Sequence, residues 1–521
     1  MKKLTYILSF FISVFLYTSC DLLDLSPEDY YGSSNFWNNE AQVAGYMNGL
    51  HADLRGRYDM FYVLGETRGG TLKHGTSSLN TSIDYSSPFK DNEFSKDKTG
   101  ISNWYGLYAS IMQLNHFIQK VENECGFLTE AQKKQYLGQA FGLRSLYYFM
   151  LYKTYGGVPL ITDVKILDGK VSADKLYTAR STPEQILNFI KDDVKRSEDS
   201  FGASTLFDSS MWSLSATKML KADVYLWSAK VTTGDHSAGG NADLQIAKTT
   251  LQSLIGKFEL QKDFTTVFSK KGNKEIIFAI RFKDTEATNW ASAFLYSKDM
   301  FVDQKYSRDG QRYGDVLDLR GNGLLRHEYK EALWRSYDEE DTRRDKTFLD
   351  FYADNKQNKF GCVMLKGIGI INSNANRVYE SDIVVYRYAD VLLMLAEIEN
   401  SLGGDVTGYI NEVRQRAYGD NWQDKYKFVS RTFAENELDI LHERDKEFVW
   451  EGKRWFDVIR MQDAAKKPLA FSKAANYPNT YGDDFAPLLM ETEAYKLLWP
   501  VNVSTLNDDP LLVPTPGYEE K

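Results

Sequence analysis

Cysteine is almost missing from this chain, with only Cys20, Cys125 and Cys362 in 521 residues. So few thiols exclude a disulfide framework, and an apolar core must hold the fold instead. Histidine is equally sparse. His51, His74, His116, His236, His327 and His442 never fall four residues apart, so zinc chemistry lacks its ligand pattern. Basic charge is not in excess: 63 Lys and Arg face 72 Asp and Glu, a net charge of -9, with no basic block. That balance excludes nucleic acid as a partner. Beyond the N-terminus no stretch reaches the roughly 18 uninterrupted apolar residues of a membrane-spanning helix. The Walker loop, the Gly-x-Ser-x-Gly elbow and the complete dinucleotide fingerprint are also missing. Gly367-Ile368-Gly369 lacks its third glycine and reads as a turn.

What is present begins at the N-terminus. Lys2 and Lys3 precede an apolar run from Leu4 to Leu16, then Thr18, Ser19 and Cys20. The run is too short for a bilayer, which takes about 20 apolar residues, and its layout is that of a secretory signal. Cys20 stands where a bacterial signal peptide is cut before a lipid-modified cysteine, although Tyr17 takes the usual aliphatic position of the lipobox. The expectation is a signal peptide over 1–19, a lipidated stem over 20–39 and a mature chain anchored to the membrane through Cys20.

Helical periodicity dominates the rest. Trp104, Tyr108, Ile111, Met112, Asn115 and Ile118 recur at three- and four-residue steps, as do Leu143, Tyr147, Met150 and Leu151. Thr182-Pro183-Glu184-Gln185 carries a hydroxyl N-cap, a first-turn proline and a reciprocal capping residue, so a helix starts there. Further helices are expected over 215–231, 387–402, 405–417 and 437–461, and one short buried strand over Glu275 to Ile280. The helix lengths suit stacked helical hairpins. Two long irregular stretches, Gly65 to Gly100 and Lys283 to Gly323, stand apart; loops of that length are usually functional or disordered. Glu443, Glu447 and Glu451 share one helical face in this reading, but Arg444 and Arg454 lie beside them and no Glu-x-x-His pair accompanies them. They are expected to form structural ion pairs.

Several segments, in order, resemble the SusD/RagB family of Bacteroidetes surface lipoproteins. They include Cys20-Asp-Leu-Leu-Asp-Leu-Ser-Pro27, the helix from Ala140 through Arg144 and Tyr147 into Tyr155-Gly-Gly-Val-Pro159, and Tyr386-Arg387-Tyr388-Ala389-Asp390 through Glu397. They continue with Ile410-Asn411 through Ala417, then Glu443-Arg444, Glu447-Phe448, Glu451-Gly452 and Arg454-Trp455-Phe456-Asp457, and close on Trp499-Pro500 and Pro516-Gly517-Tyr518. The resemblance implies a mainly α fold: tetratricopeptide-like helix pairs plus an irregular loop-rich half with a few short strands, forming one domain over 40–521. It implies a nutrient-binding lipoprotein of the outer membrane, facing the exterior, that passes ligand to a SusC-like TonB-dependent transporter. Asp21 and Asp24 look like the export signal to the outer face. No enzyme activity, cofactor or metal, calcium included, is assigned.

The ligand expected is a glycan, with two alternatives left open: a peptide-binding member of the same family, or a mainly structural gating lid of the transporter. Aromatics make up 14% of the chain, including 33 Tyr and 10 Trp, and rings with a polar edge suit sugar faces. A sugar site needs flat rings flanked by hydrogen-bonding side chains, and the two long loops should supply both. The candidates are Arg68, Tyr85, Phe89 and Asn92 on the first loop, and Asn289, Trp290, Tyr296 and Tyr313 on the second, with Trp290 beside Asn289 foremost. Trp104, Trp227 and Trp455 lie on strongly patterned helices and are expected in the core.

Overall fold

The computed structural model describes residues 36–83, 89–164, 171–301, 304–320 and 323–519. Helices dominate. The long ones in the N-terminal part are α1 (Glu40–Gly56), α2 (Leu107–Asn123), α3 (Glu130–Tyr155), α4 (Pro183–Phe201), α5 (Leu214–Lys230) and α6 (Gly240–Gln252). Each packs mainly on its neighbours in sequence: α2 on α1 and α3, α4 on α3 and α5, α6 on α5. This is the order of stacked helical pairs. A second set, α7 (Tyr388–Leu402), α8 (Thr407–Tyr418), α9 (Phe433–Glu447) and α10 (Arg454–Arg460), joins the first where α7 packs on α6.

The helix starts follow local chemistry. Thr129, Thr182 and Thr432 each accept from the backbone three residues on, while Gln132, Gln185 and Glu435 reach back to the cap, closing three capping boxes. Helix α3 is buried along its whole C-terminal half, from Leu137 to Tyr155, because α2, α4 and α5 all cover it. Trp104, Trp227 and Trp455 are buried as expected.

Two elements differ from the sequence reading. The segment 437–461 is not one helix. It is α9 and α10 separated at Phe448–Lys453, so Glu451 leaves the helix that carries Glu443 and Glu447. Gly452 makes the break: its φ is +67°, and a Cβ there would overlap the backbone of Phe61, while one on Gly65 would overlap Gly452 in turn. Two chains cross here with no room for side chains. The buried strand β1 (Ile276–Ile280) is present, but it has an antiparallel partner that the pattern hid, β6 (Ile383–Arg387), running directly into α7. Between them lie two more small hairpins, β2 (Phe348–Phe351) with β3 (Gly361–Met364), and β4 (Ile370–Ile371) with β5 (Arg377–Val378).

The junction of β1, β6, α7, α9 and the break is held by charge. Arg387, fully buried, donates to both oxygens of Glu451 at 2.9 Å, to Glu275 at 2.7 Å, and to the carboxylate and main-chain oxygen of Glu447. Arg343 pairs with Glu443 at 2.7 Å and Glu447 at 2.9 Å, Arg416 bridges Glu275 and Glu447, and Lys366 caps Glu451. The three glutamates are thus structural ion pairs. Burial alone would raise the Glu443 carboxyl, but the Arg343 and Arg414 charges outweigh it and hold the group at about 2. A second centre sets Glu397 between Lys230 and Arg460, at 2.8 and 2.7 Å.

Candidate functional site

The first long loop meets in space both the second and residues 325–330 that follow it. Lys73 N–H donates to the Glu328 carbonyl at 2.8 Å, and Lys330 N–H to that of Thr71 at 2.9 Å. Ser78 donates its N–H and hydroxyl to the Glu328 carboxylate at 2.8 and 2.6 Å, and Thr81 its hydroxyl to the Leu325 carbonyl at 3.0 Å. Lys90 reaches the Ile83 carbonyl at 2.8 Å. Beneath these contacts is a separate small core: Leu79 of the first loop packs with Leu295, Tyr296, Phe301, Leu319 and Leu325 of the second segment and with Phe351 and Val363 of the β2–β3 hairpin. This core explains how irregular backbone holds a fixed shape, since neither loop could bury its apolar side chains alone. We call the assembly the crown.

The crown's charges are arranged differently from those of the scaffold. The Glu328 carboxyl is pushed up by burial, opposed by Lys73 and by the Ser78 hydrogen bonds. Arg308 lies at the edge, paired with Asp350 at 2.8 Å and Asp345 at 3.0 Å, its guanidinium 5.0 Å from the Trp334 ring.

The eight expected ligand residues separate into distinct environments. Arg68 is fully buried: its Nε donates to Asn92 Oδ1 at 2.7 Å, its Nη2 to the Lys496 carbonyl, and its plane lies 3.9 Å from the Trp455 ring and 4.5 Å from that of Phe94. Asn92 is buried with it, and Phe89, half-buried, rests against Trp499 at 5.1 Å. Asn289 is also interior, donating to the Ser381 carbonyl at 2.7 Å and accepting from Ala291 N–H at 2.9 Å. Tyr296 is fully buried in the crown core, stacked on Phe301 at 3.9 Å. These placements correct the expectation for Arg68, Asn92, Asn289 and Tyr296. The first three spend polar groups on internal partners and the fourth is enclosed by the crown core, so all four are interior. Tyr85 lies outside the described residues, as does Cys20.

Trp290 and Tyr313 remain half-open. Trp290 sits against His327 at 5.4 Å and Trp450 at 6.3 Å; Tyr313 stacks on Phe301 at 5.5 Å while its hydroxyl donates to the Asp350 carbonyl at 3.1 Å. Sequence reasoning missed two further pairings of ring and guanidinium. Arg312 donates to the Tyr306 hydroxyl at 3.0 Å and covers its ring at 5.5 Å. Arg335 covers the exposed ring of Tyr481 at 4.6 Å. Tyr481 belongs to a third segment, tied to the first loop where His74 N–H donates to Asn479 Oδ1 at 3.0 Å. No periodic pattern marks that segment. An exposed ring, Tyr481, and a half-buried one, Tyr306, beside guanidinium donors suit a sugar face and its hydroxyl rim.

Among the described residues no helix is long and apolar enough to cross a membrane, and no group of three or more His, Cys, Asp or Glu side chains is placed to hold a metal ion.

Comparison with known proteins gives a consistent outcome. Residues 274–518 match the model of the SusD family, and residues 21–219 match a family described as starch-binding, associating with the outer membrane. The chain is similar to the solved structure of a SusD superfamily protein from Bacteroides fragilis NCTC 9343, at 39% identity and a TM-score of 0.85, covering 93% of this chain and 100% of that one. It is also similar to B. fragilis NanU, at 32% identity and a TM-score of 0.79, over 95% of this chain and all of that one. A SusD-like protein of Formosa agariphila shares 23% identity over 499 residues, 89% of this chain and 92% of the relative.

Proposed function

The chain belongs to the SusD family, and from that premise we propose that it binds a nutrient glycan through the crown and delivers it, chemically unchanged, to a SusC-like TonB-dependent transporter. Residues 1–19 then serve as the signal peptide and 20–39 as the stem, with lipidated Cys20 anchoring the domain over 40–521 to the exterior of the outer membrane. The family's described association with the outer membrane agrees with this placement.

The observation that carries the reading is the convergence of three separate segments on one crown that presents Tyr313, the Tyr306–Arg312 pair and the Tyr481–Arg335 pair, with Trp290 half-open on the main core against His327. Half-buried rings supply platforms whose orientation is already fixed, and guanidinium groups supply donors to hydroxyls, so ligand binding orders few side chains. Nothing in the arrangement requires a bond to break. The carboxylates nearest the scaffold centre are consumed by arginine, as Glu443, Glu447 and Glu451 show.

The test is binding of the chain lacking residues 1–20 to a panel of polysaccharides and peptides, beside Trp290→Ala, Arg312→Ala and Tyr481→Ala. Arg312 and Tyr481 are exposed, so their variants should fold normally. Saturable binding to a glycan, weakened about tenfold or more in these variants, is expected. Binding only to peptides would replace the glycan by a peptide ligand, and no binding at all would leave a gating lid. Cys20→Ala should release the protein from the membrane fraction.

A further inference from the structure

One sizeable cavity lies outside the crown. A cleft of about 830 Å³ opens between the scaffold and the C-terminal segment. The end of α3, the residues leading into α4, the end of α5 with its following turn, residues 459–471 and two C-terminal stretches enclose it. No residue of the first or second long loop lines it.

Its chemistry is one-sided. Four cations line it, Lys153, Arg180, Lys230 and Lys466, and no carboxylate does. Two of the four are compensated: Lys230 pairs with Glu397 and Glu437, and Lys153 stands 3.8 Å from Asp223. The other two are not. Arg180 is held by main-chain carbonyls alone, those of Gly157 and Tyr155 at 2.7 Å and Val513 at 3.2 Å. Burial pulls its guanidinium down to about 10. Lys466 rests over the Phe433 ring at 3.2 Å, and among the described residues neither it nor Arg180 has a carboxylate within ion-pair distance. Between these charges the walls are mostly apolar, with Val231, Ile459, Phe471 and Leu497 facing the space.

A neutral sugar fits such walls badly, because its hydroxyls would lose water without gaining partners. A ligand with an apolar body and one anionic end would bury the body and meet the uncompensated cations, gaining on both counts. The volume lies within the usual range of small-molecule sites. We propose that this cleft is a second binding site, for an amphipathic carboxylate. Arg180, preset by three carbonyls, and Lys466 at the mouth receive the carboxylate, and the aliphatic walls receive the body. The site does not depend on glycan binding by the crown.

The experiment is calorimetric titration of the chain lacking residues 1–20 with decanoate below its micelle concentration. 1-Decanol shares its apolar body, and glucuronate carries a carboxylate on a polar body. Saturable one-to-one binding of decanoate is expected, at least about tenfold tighter than either control. Lys466→Glu and Thr232→Trp should each weaken it about tenfold or more, the first by charge and the second by filling the mouth, where Thr232 is exposed. Both positions are on the surface, and an unchanged melting temperature verifies folding. Arg180→Gln adds a third reading if it melts normally. The proposal is overturned if decanoate fails to saturate, if decanol or glucuronate binds as tightly, or if Thr232→Trp leaves binding intact. Glycan binding by the crown should be unaffected in all three variants, so a failure of either site is distinguishable from a failure of the other.

Discussion

The scaffold centre under Arg387 and the crown around Phe351 both bury charge beside aromatic rings, yet they do so in different ways. In the scaffold, a fully buried arginine meets three carboxylates at once, and Arg343, Arg416 and Lys366 complete the neutralisation. In the crown, buried Glu328 relies on one serine, one backbone N–H from Cys362 at 3.4 Å and a lysine 3.9 Å away. The scaffold fixes where helices cross. The crown ties loops together lightly enough for rings and guanidinium groups to stay at its surface, where a ligand can use them.

Breaking the scaffold centre should therefore have the largest effect. Arg387→Met leaves Glu275, Glu447 and Glu451 short of counter-charge in the interior and is expected to cost about 3–5 kcal/mol in chemical denaturation. A loss below about 1 kcal/mol would show that the centre is not what holds the junction.

Acid probes the same centre without mutation. Glu443 titrates at about 2 in the fold against about 4.5 when unfolded. Its folded value is depressed, so its contribution is present above pH 4.5 and is lost as pH falls toward 2, on the order of 3 kcal/mol. A melting temperature that stays level between pH 5 and pH 2.5 would contradict this.

Glu66 lies between the two regions and has the opposite sign. Burial pushes its carboxyl up to about 7, although it accepts from the Tyr329 hydroxyl at 3.1 Å. A raised carboxyl stabilises the fold below about pH 4.5 and loses that contribution as pH rises through 7, roughly 2–3 kcal/mol. Glu66→Gln should flatten the slope between pH 5 and pH 7; an unchanged slope would assign it to other groups.

In the crown, Ser78→Ala removes the hydroxyl's hydrogen bond to Glu328 and leaves the backbone one, and should cost about 1–2 kcal/mol while loosening the junction of the loops. Proteolysis within 73–83 would report that loosening, and its absence would imply that the small core alone fixes the loops. At the far end of the scale, Lys195→Ala breaks the exposed pair with Asp199 on α4 and should leave melting unchanged.

How much of this was legible in the sequence follows the same division. The scaffold helices could be read because apolar residues repeat at helical steps: Ile111 and Ile118 mark the buried face of α2, whereas Leu143, Tyr147, Met150 and Leu151 lie on the part of α3 that is covered on every side. The start of α4 was fixed by Thr182 and Gln185. The capping box of Thr432 and Glu435 carried the same signal and would have moved the start of α9 to Phe433. The break at Gly452 was not legible, because four-residue spacing continues through it and the reason for the break, the crossing with Phe61, comes from another part of the chain. β6 was missed for a related cause, since Ile383 to Tyr386 reads as an apolar lead into α7 until β1 is placed beside it. In the crown, irregular patterning drew attention to two loops whose side chains share one small core. It could not tell an interior ring such as Tyr296 from a half-open one such as Tyr313, because only the distant partners Leu79, Phe351 and Val363 decide which side faces the core.

Hydrogen–deuterium exchange of the soluble chain, with and without the glycan that it binds best, tests the division of labour most directly. Added protection confined to 73–83, 290–320 and 477–485, with α3, α7 and α9 unchanged, is the predicted result. Protection centred on the scaffold helices or the C-terminal cleft, with none in the crown, would contradict it.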